Sequence, residues 1–450
     1  MASAAEQLAA SINFGAFSKA TELKSRIWFT LAALVIYRLG TYIPIPGIDP
    51  AILHEIFSSK AGGILGMFDM FSGGALGRMT IFALNIMPYI SASIIIQLLT
   101  AVSPSLEALK KEGESGRKKL NQYTRFGTVG LAAVQSWGIA VGLEGMHAGG
   151  ASAVIDPGYF FRIVTMITLT GGTVFLMWLG EQITARGVGN GISLIIMAGI
   201  VANLPHALAA TLELGRTGAI STVFIGVFLL MSVAVVAVIV FMERAQRRIL
   251  VQYPKRQQGN RMSGGESSHL PLKINTSGVI PPIFASSLLL LPATVASFEE
   301  AGGGPSMGII GDITRYLAHG TPLYMLLYVG LIVFFCFFYT AIVFNPTETA
   351  DNLRKYGGFI PGIRPGKNTA DYLDYVLTRI TVIGAVYLSA VCILPEILIS
   401  QYSVPFYFGG TSLLIVVSVT MDTVAQIHSH LLAHQYEGLI KKARLRGRRG

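Results

Sequence analysis

The chain has 450 residues, 52% of them apolar and only 13% charged, with 50 glycines and a formal net charge of +10. That balance excludes a soluble enzyme and points to a protein that crosses a membrane many times. The only cysteines, Cys336 and Cys392, lie inside apolar runs, which excludes a disulfide scaffold and a cysteine-based metal site.

A membrane span needs roughly 20 apolar residues. On that measure ten spans are predicted, near 22–42, 76–100, 124–145, 158–180, 189–208, 218–242, 276–297, 321–344, 374–395 and 405–427. The expected fold class is an all-α polytopic membrane protein. The polar start, with Glu6, runs into a full-length first span, so no cleavable signal peptide is expected.

Between the first two spans, Gly63 to Phe71 places Ile64, Leu65, Phe68 and Phe71 on one face of a two-turn helix. It is too short to cross, so it lies on the surface, packs in a core, or re-enters from one side. Gly62, Gly63, Gly66, Gly73 and Gly74 would make its ends and middle movable. The second span carries Pro88 in its interior, which predicts a kink and a helix that lines a cavity.

The glycines of RGVGNGIS (Gly187, Gly189 and Gly191) open the fifth span, but no strand precedes them, so they are not a nucleotide fingerprint. The loop at 243–274 contains ILVQY, which alternates like a strand between basic ends, followed by a glycine- and serine-rich hairpin tip. The loop at 345–373 is stiffened by Pro361 and Pro365 around Arg364. Projecting basic loops suit an acidic partner such as ribosomal RNA or a motor protein, and the tail KKARLRGRRG suits anionic lipid equally well.

Of the 34 Lys and Arg residues, all but Arg38, Lys60, Arg78, Arg162, Arg216 and Arg315 fall on one side if both termini are cytoplasmic. That bias sets the orientation. Catalysis has little support. Ser412 and His428 would lie ~24 Å apart on one helix, His428, His430 and His434 are poorly spaced for a metal, and no GxxxxGK[ST] loop occurs, so ATP-driven work needs another protein.

The chain repeats itself. Pro88-Tyr89-Ile90-Ser91-Ala92-Ser93 matches Pro281-Pro282-Ile283-Phe284-Ala285-Ser286, and Gly191 to Ile196 matches Gly410 to Ile415, each at four of six positions. Five spans per half is odd, so the halves run in opposite senses, an arrangement that points to a passage at the midplane. The matches place Ile86, Ile90, Ile192, Ile196, Ile283 and Ile415 at mid-depth, where they would make a soft ring that stops ions by dewetting. Asn85, Ser93, Gln97, Ser286 and Ser287 are polar but neutral and would contact a passing chain or bond between helices. The span centres hold no ionisable group of the kind that proton- or sodium-coupled transport uses.

The segments GGALGRMTIFALNIMPYISASIIIQLLT, GEQITARGVGNGISLIIMAGIV, GVIPPIFASSLLLLP, RKYGGFIPGIRPG, and FGGTSLLIVVSVTMDTVAQ followed by HQYEGLIKKARLRG resemble, in order, the SecY family of bacterial protein-translocase channel subunits. The resemblance implies ten transmembrane helices in two pseudo-symmetric halves, 1–208 and 218–427. A hinge loop would occupy 209–217 and a basic cytoplasmic tail 428–450. It implies that 63–71 is a re-entrant plug, with Ile64, Leu65, Met67, Phe68, Asp69 and Phe71. The six isoleucines would be the pore ring, and the neutral polar residues would sit at a lateral gate between the second and third spans and the seventh and eighth. Arg247, Arg248, Lys255, Arg256, Arg354, Lys355 and Arg364 would bind cytoplasmic partners. The implied partners are SecE, SecG, the motor ATPase SecA, ribosomes and signal-peptide-bearing polypeptides. The implied location is the bacterial inner membrane, with no cofactor and no metal.

Two functions follow. The leading one is a channel that passes unfolded polypeptide and releases apolar segments sideways into lipid. The other, from the inverted halves alone, is a secondary transporter of a small solute.

Overall fold

The structure, a computed structural model, describes residues 21–53, 69, 72–145, 147–148, 151–217, 221–253, 256–258, 261–263, 267–289, 321–402 and 410–447. These fall into two compact units. One holds the described residues up to His206 and from Val419 onward, the other those between Ala207 and Ser418.

In the first unit, α1 (Thr21–Gly40) leads into an extended segment, and α2 (Met87–Val102), α3 (Pro104–Lys111), α4 (Glu114–Glu144), the short paired strands β1 (His147–Ala148) and β2 (Ala151–Ser152), α5 (Tyr159–Arg186) and the first part of α6 (Gly191–Arg216) follow. α2 and α3 meet at 99°. Pro104 pushes the residue before it out of the helical region, and Ser103 is extended accordingly, at φ −95° and ψ 118°. α4 presents Thr124, Thr128, Ala132, Ser136 and Ala140 at four-residue intervals, all buried, and such small side chains let neighbouring helices approach closely. Ion pairs tie α4 to α5 at both ends, Arg125 to Glu181 at 2.7 Å and Arg162 to Glu144 at 2.6 Å.

The second unit holds α7 (Thr222–Arg244), a hairpin of β3 (Gln246–Gln252) with β6 (Ser267–Lys273), and a tip of β4 (Arg256–Gln258) with β5 (Arg261–Ser263). Then come α8 (Ile280–Leu289), α9 (Pro322–Val343), α10 (Pro346–Lys355) and α11 (Lys367–Tyr402). The final helix, α12 (Gly410–Gly447), begins in this unit. Among the described residues seven helices are long and apolar enough to cross a membrane, eight if the bent pair α2 and α3 is one span.

Several boundaries differ from the sequence reading. Pro88 does not kink the second span. It lies in the first turn of α2, where its missing N–H costs no helical hydrogen bond, and residues 75–86 are turns around a bridge at Thr80 rather than helix. Likewise Pro281 lies in the first turn of α8, a ten-residue helix. The helix of the fifth predicted span, α6, runs on to Arg216 with Pro205 inside it, because the composition of HALAATLEL, with Ala207, Ala209, Ala210 and Leu212, favours helix beyond the apolar span. The expected 209–217 loop is thereby reduced to the residues after Arg216. The tail is not separate either, since α12 continues unbroken to Gly447.

RGVGNGIS is explained by packing. A β-carbon on Gly191 would overlap the Gly180 carbonyl oxygen, one on Gly187 would overlap the Thr30 hydroxyl, and Gly189 has φ +88°. The Val188 N–H donates to Thr30 Oγ1 at 3.0 Å, and the Gly189 N–H donates to Gln426 Oε1 at 3.0 Å. Gly191→Ala should therefore lower stability by about 1–3 kcal/mol through overpacking, read as a lower melting temperature of the detergent-purified chain. An unchanged melting temperature would count against this contact.

Candidate functional site

In the first unit the approach to α2 is irregular and buried. Its polar backbone groups are satisfied by neighbouring segments, as non-helical backbone in a membrane protein requires. Ile45 N–H donates to the Met79 carbonyl and Ile81 N–H to the Ile43 carbonyl, both at 3.0 Å. On the other edge Asp49 N–H bonds the Ala153 carbonyl and Ile155 N–H the Gly47 carbonyl, again at 3.0 Å. Phe82 stacks between Tyr37 of α1 and Phe175 of α5, with ring centroids 6.2 and 5.9 Å away. Met79 and Asn85 take left-handed backbone, at φ +43° and +49°, which lets the chain turn twice before the helix starts.

The predicted isoleucines sit at matching places in their helices. Ile86 caps the N-terminus of α2 and Ile90 lies one turn in, its N–H donating to the Ile86 carbonyl at 3.1 Å. Ile192 and Ile196 occupy the first turns of α6, whose N-terminus is capped by Asn190, with Oδ1 accepting from Ile192 N–H at 3.1 Å. Ile192 Cγ1 lies against Gly180 of α5. Ile283 is half-buried near the start of α8, and Ile415 is buried near the start of α12. Ile86, Ile90 and Ile196 are buried too. The first four belong to one unit, Ile283 and Ile415 to the other.

The neutral polar residues behave differently from one another. Gln97 Nε2 donates to Ser93 Oγ at 3.0 Å along α2, while Gln97 Oε1 is buried and accepts nothing. Asn85 is buried at its left-handed turn. Ser286 Oγ donates back to the Ile283 carbonyl at 2.9 Å, and Ser286 and Ser287 are both buried on α8.

Of the predicted plug, Ile64, Leu65, Met67, Phe68 and Phe71 lie outside the described residues, and Asp69 is within them. Its carboxylate accepts the Gly77 N–H at 2.6 Å, so it orders the turn that follows.

The two basic loops of the second unit share one core, which sequence reading missed. β3 and β6 pair antiparallel, with Ile249 opposite Leu270 and Val251 opposite Ser268. Ile249, Val251 and Leu272 then pack with Ile360, Leu373 and Ile380 from the other loop and α11. Gln252 and Phe359 exchange backbone hydrogen bonds in both directions at 2.9 Å, and Gly358 packs on the ring of Tyr253. The available signal was apolar residues in otherwise basic loops, Ile360 and Ile363 among them. From this platform Arg247, Arg248, Arg354, Lys355 and Arg364 are exposed. Arg256 opens β4, and Lys255 lies outside the described residues. Arg364 stands at a turn bounded by Gly362 and Gly366, at φ +81° and +109°, and its carbonyl accepts the Thr369 hydroxyl at 3.1 Å.

Because the core is shared, Leu373→Ala should loosen both loops together. Leu373 is fully buried, and truncating such a residue costs about 2–5 kcal/mol. Limited trypsin digestion should then cut faster at Arg247 or Arg248 and at Arg354 alike. Faster cleavage in only one loop would contradict a common core.

No His, Cys, Asp and Glu grouping able to hold a metal exists among the described residues. The arrangement offers positioned apolar side chains and basic surface.

Comparison with known proteins fits this picture. The SecY family model matches residues 80–424. The protein translocase subunit SecY of Escherichia coli K12 is 57% identical over 429 residues, covering 95% of this chain and 96% of that one. The SecY subunit of Rickettsia conorii is 56% identical over 432 residues, covering 96% and 99%. Two solved structures share the fold at low identity. A protein-conducting channel aligns with TM-score 0.64 at 19% identity, over 90% of this chain and 92% of that one. Sec61 in the canine ribosome-channel complex from the endoplasmic reticulum aligns with TM-score 0.61 at 18% identity, over the same shares.

Proposed function

The chain belongs to the SecY family and is a protein-conducting channel of a bacterial membrane, not an enzyme; from that premise we propose which of its residues do the work. The likeness to SecY subunits along almost the full length of the chain carries the reading.

Ten spans result when α1 and the short apolar α8 join the seven long helices and the bent pair. They form two inverted halves, 1–208 and 218–427, that part about the short connection after α6, with both termini cytoplasmic in the inner membrane. Ile86, Ile90, Ile192, Ile196, Ile283 and Ile415 make the pore ring. In support, each of these residues lies at or near the start of its helix, and the two proline-led helices begin one residue before their prolines. A solute as varied as a polypeptide cannot be recognised by fixed polar groups, so a soft apolar constriction suits it and still holds back ions. Residues 63–71 are the plug. Asn85, Ser93, Gln97, Ser286 and Ser287 line the lateral gate. Sideways release has its own driving force: about 0.3–0.6 kcal/mol for each Leu, Ile, Phe or Val favours the bilayer, and an Asp, Lys or Arg costs about 2.5–3.5 kcal/mol.

The exposed basic residues of the shared loop platform meet the cytoplasmic partners, the motor SecA and the ribosome, and SecE and SecG complete the complex. The experiment is reconstitution of the chain with SecE, SecA, ATP and an unfolded secretory substrate. The substrate should become protected from protease inside the vesicle. Absence of protection, with uptake of a small solute instead, would overturn the channel reading.

A further inference from the structure

The backbone from Ser72 to Thr80 folds back on itself before α2, and several segments tie it. The Asp69 carbonyl accepts the Gly74 N–H at 2.8 Å and the Ser72 hydroxyl at 3.0 Å, while Ser72 Oγ accepts the Leu76 N–H at 3.1 Å. Two arginines close on its middle. Arg38, in the last turn of α1, donates to the Gly73 carbonyl at 2.7 Å. Arg78 donates Nη2 to the same carbonyl at 3.1 Å and Nε to the Gly74 carbonyl at 2.8 Å.

Both guanidiniums lie over the ring of Tyr42, at 5.1 and 4.1 Å from its centre, where cation–π attraction holds them. Arg38 Nη2 also donates to the Tyr42 hydroxyl at 3.2 Å. The Tyr37 hydroxyl donates to the Ser72 carbonyl at 3.3 Å. Sequence alone suggests that Gly73 and Gly74 make a hinge. Here they use their freedom for fixed left-handed backbone, at φ +70° and +82°, and a β-carbon on Gly73 would come within 3.0 Å of the Gly199 backbone in α6.

We propose that Arg38, Arg78 and Tyr42 are positioning residues of the channel: they hold the 72–80 turn as a post that stays still while the channel opens and to which the end of the plug is fastened through Asp69. This rests on the plug reading above and adds to it where motion stops. The glycine pair supplies close packing and left-handed backbone, and three guanidinium hydrogen bonds to adjacent carbonyls supply the rigidity.

The test uses the full translocase in proteoliposomes. Pro44 and Thr80 face each other across an antiparallel bridge whose neighbours, rather than the pair itself, make the hydrogen bonds. Such pairs have Cα atoms roughly 4.5 Å apart, within reach of a disulfide. A Pro44→Cys, Thr80→Cys channel should crosslink fully and transport polypeptide equally well oxidised and reduced. Failure to crosslink, or transport that stops on oxidation and returns with reductant, overturns the post.

Separately, Arg38→Ala and Arg78→Ala should each raise resting ion conductance several-fold while motor-driven transport continues. Arg78→Lys should rescue only in part, since an ammonium cannot span two carbonyls as a guanidinium fork does. Wild-type conductance in both alanine variants overturns the proposal, and where one of them fails to fold, the crosslink decides. Deletion of 63–71 separates the two readings. If deletion raises conductance and the alanine variants do not, the post fails alone; if deletion has no effect, the plug fails and the post with it.

Discussion

Removal of residues 63–71, or replacement of Ile90 and Ile283 by glycine, should leave a channel that leaks ions at rest. In planar bilayers the wild-type complex should be nearly silent, and both variants should conduct without any substrate present. The reason is the physics of an apolar constriction, which excludes ions by refusing water as long as its wall is narrow and greasy. Ile90 is buried on the first turn of α2, and Ile283 holds the equivalent place on α8. With the two side chains in the proposed ring, losing both would widen the wall and also expose backbone, which attracts water. The plug deletion acts by another route, removing a stopper while leaving the wall intact, so the two changes together should leak more than either alone. Conductance at the wild-type level in every variant would remove the gate assignment. Because Ile90→Gly also weakens a helix by roughly 1 kcal/mol, Ile90→Ala serves as the control for folding.

Arg364→Glu is expected to cripple motor-driven export while sparing membrane insertion. Arg364 is exposed at a turn whose shape is set by Gly362, Gly366 and the Thr369 hydroxyl, none of which depends on its side chain. Charge reversal therefore changes what the platform offers a partner and leaves the platform folded. A like-charge contact at an interface costs several kcal/mol, and each 1.4 kcal/mol is about tenfold in binding, so the loss of export should be at least about tenfold. Export of a labelled preprotein into vesicles, compared with insertion of an apolar membrane segment by translating ribosomes, reads the difference. Equal loss in both assays, or normal export, would take the residue out of its assigned role. Arg364→Lys distinguishes charge from geometry, since it keeps the first and loses the planar fork.

The exposed ion pair of Arg125 with Glu181 gives a useful contrast. It is bidentate, at 3.0 and 2.7 Å, yet exposed pairs contribute only about 0–1 kcal/mol. Breaking it should barely move the melting temperature.

Much of the molecule was legible from residues taken in order. The apolar runs located the long helices because lipid acts on each segment separately, rewarding apolar side chains and demanding that backbone groups bond within the same helix. The strand character of ILVQY was also local, an alternation that does not depend on its partner, and the structure pairs it as β3 with β6. The basic loops were a matter of composition.

What tertiary structure alone decided are the points where distant segments meet. Whether Pro88 kinks a helix or starts one depends on whether residues 75–86 can find other hydrogen-bond partners, and those partners include Ile43 and Ile45 in a register no local pattern announces. Gly73 and Gly74 read as a hinge by type and prove to be fastened, because Arg38 and Arg78 reach their carbonyls from elements on either side. The two basic loops read as separate projections, yet Gln252 and Phe359 bond to each other across about a hundred residues of chain. Solvent preference acts on one segment at a time and is written in the sequence; satisfaction of backbone polar groups is settled between segments, and only the folded chain shows which ones.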